Sequence, residues 1–522
     1  VPLKALHELN RINEPKTMNK SVVVLLFLFL LAGCKSRTKS DSFQPELHFK
    51  LKKSALKAPS DLLFYDGQYH LFFQYAADSA KTKIHWGQAS SGDLIHWKRL
   101  PLRVHGDSNS NIGEGSVVMD WNNTSGLGNE NPPMITIYPS HDEKESGLDD
   151  KSLAIAYSTD KGSTWEIDSG KSIHLEHCIY PPHDPKIFWH EETQRWIMAV
   201  LTGYEIRFYS SSDLLNWEYE NVFGESIYVK KGEWTHLDFF PLQVKNANET
   251  KWALLISGDT GSPNDGSGTQ YFVGDFDGYT FKTPWDKPRW LDNGSDNFAG
   301  VVLSDYAESD QPAYYLGWIT NSRYNNPNEF VKGPNTYTLP RNLSLYKEAN
   351  DYAVVSKPIK AVETLQENSK QIKGTEFSGE LKFTQKMDFP MEINLTFDMN
   401  NRLYLDQAEV FGVELTSHAG DVLSIGYHSK RRYVFIREMK DGESREEAWN
   451  DFQFAPYIVT QPELNLRVFI DHYSVELFAN DGMASLTRKY FVSKKWSKIA
   501  LFTQDGKITL KEGRISELKS IW

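Results

Sequence analysis

The sequence predicts an all-β protein in which a β-propeller of about 300 residues precedes a β-sandwich of about 150. Three observations lead there. Long helical periodicity is nearly absent. One strand–turn–tryptophan unit recurs along the first part of the chain. In the last third the apolar and polar residues alternate more cleanly, as in two-faced antiparallel strands. Composition agrees. The 522 residues include 15 Trp, 25 Tyr and 29 Phe. Aromatic residues favour strands and can stack on sugar rings, which brings carbohydrate forward as a ligand class.

The same arithmetic excludes several alternatives. A hydrophobic fraction of 40% supports a sizeable core. A net charge of -12, with no long basic stripe, argues against nucleic acid as a partner. Two cysteines rule out a disulfide scaffold and a thiolate-only metal cluster. No cofactor is expected.

The first segment reads as an address. Residues 1–17 carry no usable pattern and read as an upstream mis-start. Met18-Asn19-Lys20 supplies a positive start, residues 22–31 form an apolar run, and Leu31-Ala32-Gly33-Cys34 closes it. The run is shorter than the roughly 18–20 residues that span a bilayer, so it reads as a signal sequence. The L-A-G-C string resembles a bacterial lipoprotein lipobox, with Cys34 as the acylated residue; an ordinary secretory signal is the alternative. Residues 35–45 are polar and read as a tether. The expected location is the cell envelope, periplasmic or cell-surface, with the lipid as the only membrane contact.

Residues 46–345 read as the propeller. LLFYDGQYHLFFQY (62–75) is a hairpin around Asp66-Gly67. IHWGQASSGDLIHWKRL (84–100), LAIAYSTDKGSTWEI (153–167) and IRFYSSSDLLNWEYE (206–220) share a strand, a Ser/Asp turn and a closing Trp. YFVGDFDGYTFK (271–282) is a weaker copy ending in Phe281. Spacings of about 50–70 residues suit one four-stranded blade per copy, with four to six blades. Residues 346–372 are more polar and read as a linker with a short helix near 360–368. Residues 373–522 read as the sandwich, as in LNLRVFIDHYSVELFAND (464–481).

Several strings, in this order, resemble glycoside hydrolase family 32, the invertases, levanases and inulinases. They are YDGQYHLFFQY (65–75), IHWGQASSGDLIHW (84–97), VVMDWNNTSGLG (117–128), GSGTQYFVGDFDG (266–278), TLPRNLSL (338–345) and LRVFIDHYSVELFANDG (466–482). The resemblance implies a five-bladed propeller followed by a C-terminal β-sandwich. It also implies hydrolysis of β-fructofuranosides with retention. That reaction uses one carboxylate as nucleophile, a second as acid and base, and a third Asp to hold sugar hydroxyls.

Carried over residue by residue, the motifs depart from the family. Its nucleophile, in a Trp-Met-Asn-Asp-Pro-Asn-Gly string, falls on Ala58, beside Pro59, and the neighbouring Asn becomes Lys57. Its Arg-Asp-Pro string reads His183-Asp184-Pro185, so Asp184 is retained. Its acid/base, in Trp-Glu-Cys-Pro-Asp, falls on Thr235 of Trp234-Thr235-His236-Leu237-Asp238. Its Phe-Ser-Gly-Ser string reads Gly113-Glu114-Gly115-Ser116. A methyl group cannot attack an anomeric carbon, and a Thr hydroxyl is no general acid near neutral pH.

Three readings of this site stay open. The first is a protein that binds fructan or a related glycan without the family's retaining hydrolysis, through Asp184, Gln74, Trp86, Lys57, His183 and His236. A charged or modified sugar suits Lys57 as well as a plain fructan does. The second is an active glycosidase with a relocated pair, Asp184 with Glu114, at an inverting separation; Asp61 and Asp238 are further replacement candidates. A Lys57–Glu114 ion pair is the competing role for Glu114. The third is a metal site at His183, Asp184 and His236, with His174, His177 and Cys178 upstream; no tight ligand spacing supports it.

Overall fold

The computed structural model describes residues 44–522, other than residues 53, 77–83, 102, 106–110, 113, 142–151, 225–232, 304–311, 326–333, 350, 384–388, 401–406, 443–451 and 491–494. The signal-like segment and Cys34 lie outside the described residues. Among the described residues no helix is long and apolar enough to cross a membrane.

Five sheets follow one another along the chain, antiparallel apart from Arg103–His105, which pairs in parallel with Thr164–His174, and each contributes one strand to a common axis. These inner strands are Ala55–Tyr65, Ser116–Met119, His183–His190, Trp234–Gln243 and Phe298–Val302. Each blade then zigzags outward; blade three runs His183–His190, Arg195–Thr202, Glu205–Ser211 and Glu218–Phe223. The expected five-bladed propeller is present.

The recurring sequence unit is the corner between the third and fourth strands of a blade. Asp93 accepts backbone N–H bonds from Ile95 and His96 at 2.9 and 2.8 Å. Asp213 does the same for Leu215 and Asn216 at 2.9 and 2.8 Å. Asp277 does so for Tyr279 and Thr280 at 3.0 and 2.7 Å. The closing Trp97 and Trp217 return their indole N–H to the carbonyls of Leu94 and Leu214 at 2.9 and 3.0 Å. The Ser/Asp turn and the Trp are thus one hydrogen-bonded device, repeated because each blade needs the same corner.

One boundary differs from expectation. Residues 346–372 are not a linker. Strand Asp351–Pro358 is the outermost strand of blade five, Lys360–Leu365 is a short 3-10 helix, and strand Gln366–Ile372 already pairs within the second domain. Its polar stretch is the sheet-edge strand, which faces water; five of the seven residues of QENSKQI are exposed.

The second domain is sandwich-like. Strand Trp496–Leu518 is 23 residues long. Its first half pairs with Val410–Ser417 and its second half with Met391–Asp398, so one strand belongs to both faces. Leu395, Phe397, Val413, Ile425, Leu466 and Leu477 fill the space between. A buried ion network joins this domain to the propeller. Arg341 of blade five reaches Asp292 at 2.8 Å and Glu476 at 2.5 Å, and His48 reaches Asp471 and Glu476 at 2.8 and 3.0 Å.

Candidate functional site

The propeller axis is closed below its mouth by an ion triad. Lys186 of blade three lies 3.2 Å from Asp61 of blade one and 3.1 Å from Asp238 of blade four. Asp61 also accepts from the Ser116 hydroxyl and the Val117 N–H of blade two, at 2.9 and 2.8 Å. Asp238 accepts from the Val302 N–H of blade five at 2.6 Å. All five inner strands are tied to this buried cluster. Asp61 and Asp238, expected as replacement carboxylates, are therefore spoken for as channel ligands of Lys186. Neither contributes a carboxylate to the group around Asp184.

Above the triad the inner strands bulge. Register shifts fall between Leu56 and Asp61, between His183 and Lys186, between Thr235 and Leu237, and between Phe298 and Val301. Asp184, His236 and Ala299 take left-handed backbone angles, φ 49, 50 and 51°. A bulge re-aims its side chain out of strand alternation. Lys186 and Asp238 follow two residues after Asp184 and His236, so the chain sends one residue to the mouth and the next-but-one to the triad.

Asp184, His236 and Glu114 meet there. Asp184 Oδ2 accepts from His183 Nδ1 and from the His236 backbone N–H, both at 3.0 Å. His236 Nε2 lies 2.6 Å from Glu114 Oε2. Gln74, with its amide nitrogen turned toward Glu114, donates to Oε1 and accepts from the Glu114 N–H, both at 3.1 Å. Gly115, next to it, lets the neighbouring strand of blade two pack closely: a Cβ there would stand 2.5 Å from the Ile137 carbonyl.

The electrostatics separate the acids. Burial works against the Asp184 carboxylate, yet His183 and His236 hold its pKa far below the usual range. Burial pushes Glu114 upward; His236 opposes this and Asp184 reinforces it. Burial disfavours the His236 cation, but Glu114 and Asp184 raise its pKa to about 9. His183 is raised too, with Asp184 overcoming its burial.

Ala58 stands in the first bulge, 1% exposed, and the Thr235 hydroxyl is buried without a hydrogen-bond partner among the described residues. Lys57 sits in the same bulge, where its carbonyl accepts from the Tyr337 hydroxyl at 2.8 Å. Glu114 has His236 as a counter-charge. Trp86 packs on Phe72 and Trp165 in the apolar layer between blades one and two.

Two neighbours escaped the sequence reading. Tyr337, held in its neutral form by burial with Glu114 adding to the effect, precedes the TLPRNLSL string by one residue. Phe298 packs edge-on against His236 at 5.4 Å.

Glu114, Asp184 and His236 each offer one ligand atom within 4.8 Å of the others. A cation there would have to displace the proton that His236 keeps to about pH 9. The expected upstream ligands do not join the trio: Cys178 contacts the Tyr209 hydroxyl, and His174 contacts Ser172. The nearest Glu114 and Asp184 oxygens thus lie within 4.8 Å of each other, against roughly 6.5–9.5 Å between the carboxyl groups of an inverting pair.

Residues 48–358 match the glycosyl hydrolases family 32 N-terminal domain, and residues 361–517 match the family 32 C-terminal domain. The chain belongs to glycosyl hydrolases family 32. A levanase of Bacillus subtilis is 32% identical over 516 residues, covering 96% of this chain and 75% of that protein. An extracellular exo-inulinase of Aspergillus niger is 27% identical over 519 residues, covering 92% and 95%. The crystal structure of an exo-inulinase from Aspergillus awamori superposes with a TM-score of 0.80 at 26% identity, covering 92% and 99%. A β-fructofuranosidase from Schwanniomyces occidentalis, solved with fructosyl-erythritol, gives 0.78 at 25% identity, covering 93% and 99%.

Proposed function

We propose that this chain binds the fructosyl end of a fructan or related glycan at the propeller mouth without the family's retaining hydrolysis. One observation carries this reading. The nucleophile and acid/base positions are Ala58 and Thr235, while Asp184 remains ionised and is held by His183 and the His236 N–H. Removing a nucleophile and an acid that act as a unit forfeits most of the rate enhancement, whereas hydroxyl recognition by a carboxylate needs neither. Levanase and exo-inulinase relatives support a fructose polymer as the ligand.

The test is calorimetry and product analysis on the purified protein. Sucrose, levan and inulin should release no fructose, and levan oligosaccharides should give heat that Asp184→Asn abolishes. Absence of heat across fructans and anionic glycans overturns the binding reading.

A second reading has its own support. Glu114 is pushed up and adjoins ionised Asp184, a split that suits a proton donor beside a carboxylate. It requires fructoside cleavage that is lost in Glu114→Gln. The lipobox-like string supports lipid attachment at Cys34 on the cell envelope. Palmitate labelling that is unchanged in Cys34→Ser removes that proposal.

A further inference from the structure

Glu114, Asp184 and His236 reach the mouth from three different blades. Asp184 lies in strand His183–His190 and His236 in strand Trp234–Gln243, while Glu114 stands just before strand Ser116–Met119. One carboxylate oxygen or ring nitrogen from each lies within 4.8 Å of the other two. The convergence is built into the backbone. Asp184 and His236 both take left-handed φ angles, 49 and 50°, inside bulges. That conformation costs a non-glycine residue energy, and the bulge re-aims its side chain.

Two of the three groups are gains relative to the family strings. The first Ser of Phe-Ser-Gly-Ser is Glu114, and the Cys of Trp-Glu-Cys-Pro-Asp is His236. The chain has lost a nucleophile and an acid at Ala58 and Thr235. It has gained a carboxylate and an imidazole that stand 2.6 Å apart. Neither His236 ring nitrogen makes a hydrogen bond of normal geometry among the described residues, although both are shut off from water. Buried polar groups normally have such a partner. Here Nε2 and Glu114 Oε2 are close without one, the arrangement of two ligand atoms turned toward a shared cation.

The far side of each carboxylate is already held. Gln74 donates to Glu114 Oε1 at 3.1 Å, and Oε2 is the oxygen beside His236. Asp184 Oδ2 accepts from His183 Nδ1 and from the His236 N–H, both at 3.0 Å, which leaves Oδ1. Carboxylates that bind metals are characteristically fixed by outer partners in this way.

We propose that Glu114, Asp184 and His236 hold one divalent transition-metal ion through an imidazole nitrogen and two carboxylate oxygens. This site stands independently of the proposed fructosyl ligand. The imidazole favours Zn²⁺ over Ca²⁺ and Mg²⁺, which prefer oxygen ligands alone. Ligand atoms about 2.1 Å from Zn²⁺ stand about 3.4 Å apart at a tetrahedral angle, so His236 Nε2 and Glu114 Oε2 need to part by only about 0.8 Å. Two carboxylates and a divalent ion sum to zero charge, and the His236 proton leaves to solvent as the ion binds. Three protein ligands leave a fourth position for water or a sugar hydroxyl.

The test uses the full chain, stripped with EDTA and dialysed. Calorimetry should show one equivalent of Zn²⁺ bound from ZnCl₂, and binding from CaCl₂ weaker by about tenfold or more. Glu114→Gln and His236→Gln should each weaken Zn²⁺ by about a hundredfold, and His183→Gln, which only positions Asp184, by about tenfold. A second readout needs no substitution. In proton–carbon NMR of histidine Cε1, one equivalent of Zn²⁺ should move the His236 signal and leave those of His174 and His177 in place. Zn²⁺ binding that is unchanged in both Glu114→Gln and His236→Gln overturns the site. So does Zn²⁺ that moves other histidine signals and not His236, or absence of Zn²⁺ binding by the wild type. Tighter binding of Ca²⁺ than of Zn²⁺ overturns the choice of ion. Zn²⁺ bound as expected with no heat from any glycan overturns the fructosyl reading and leaves the metal site standing.

Discussion

Replacing Glu114 with Gln should take the proton off His236 at neutral pH. Burial disfavours the imidazolium, and Glu114 and Asp184 outweigh it, so the group stands at about 9 against an ordinary 6.5. At about 1.36 kcal/mol per unit, the elevation corresponds to roughly 3 kcal/mol in favour of the charged ring. The two largest raising influences both come from Glu114, through its charge and its 2.6 Å contact. Gln keeps the shape of Glu and removes the charge, leaving Asp184 alone against desolvation. His236 should then titrate below about 7, where burial leaves a histidine. Proton–carbon NMR on protein labelled at histidine Cε1 reads this directly, with His236→Gln assigning the signal. The sign for stability follows. The raised group stabilises the wild type in full below its unfolded value near 6.5, and that contribution disappears as pH rises through about 9. The variant should lack this alkaline loss. A His236 signal in Glu114→Gln still centred near 9 would refute the pairing as the source of the charge.

Three further outcomes are expected. Lys186→Met should lower stability by about 3–5 kcal/mol, because it leaves two carboxylates buried without their cation; urea unfolding followed by tryptophan fluorescence measures it. The advantage of wild type over His48→Asn should be largest near about pH 6 and shrink as pH rises through about 9, since Asp471 and Glu476 raise His48 despite its burial; denaturant midpoints across pH test this. Ala58→Asp combined with Thr235→Glu should produce measurable fructose release from levan oligosaccharides where the wild type gives none, and no gain would contradict the assignment of those two positions.

Much of the fold was legible because its signals are local. The Ser/Asp turn and closing Trp announce a blade corner since every hydrogen bond of that corner forms within a few residues, as at Asp213 and Trp217. Strand Gln366–Ile372 was illegible for the opposite reason: an edge strand exposed on both faces has no alternation to read. At the site, Asp184 could be placed because a Pro and a strand followed it in a recognisable string. The partner of Glu114 could not, because it depends on a bulge in a distant blade. The roles of Asp61 and Asp238 likewise required Lys186, distant from Asp61 by 125 positions in the chain.

The strand Trp496–Leu518 also governs the order in which this protein can be made. It pairs on both faces of the sandwich, and just beyond it the Ile521 N–H donates to the Glu46 carbonyl at 3.0 Å. Every blade strand is complete by residue 358, but the sandwich lacks its shared strand until residues 496–518 have been made. The propeller therefore waits, its Arg341 and Asp292 without Glu476 set in a complete sheet, until that strand arrives. A chain cut before residue 496 should not be a trimmed form of this protein; it should leave the second domain without the strand that joins its two faces, with buried charges of its neighbour facing water.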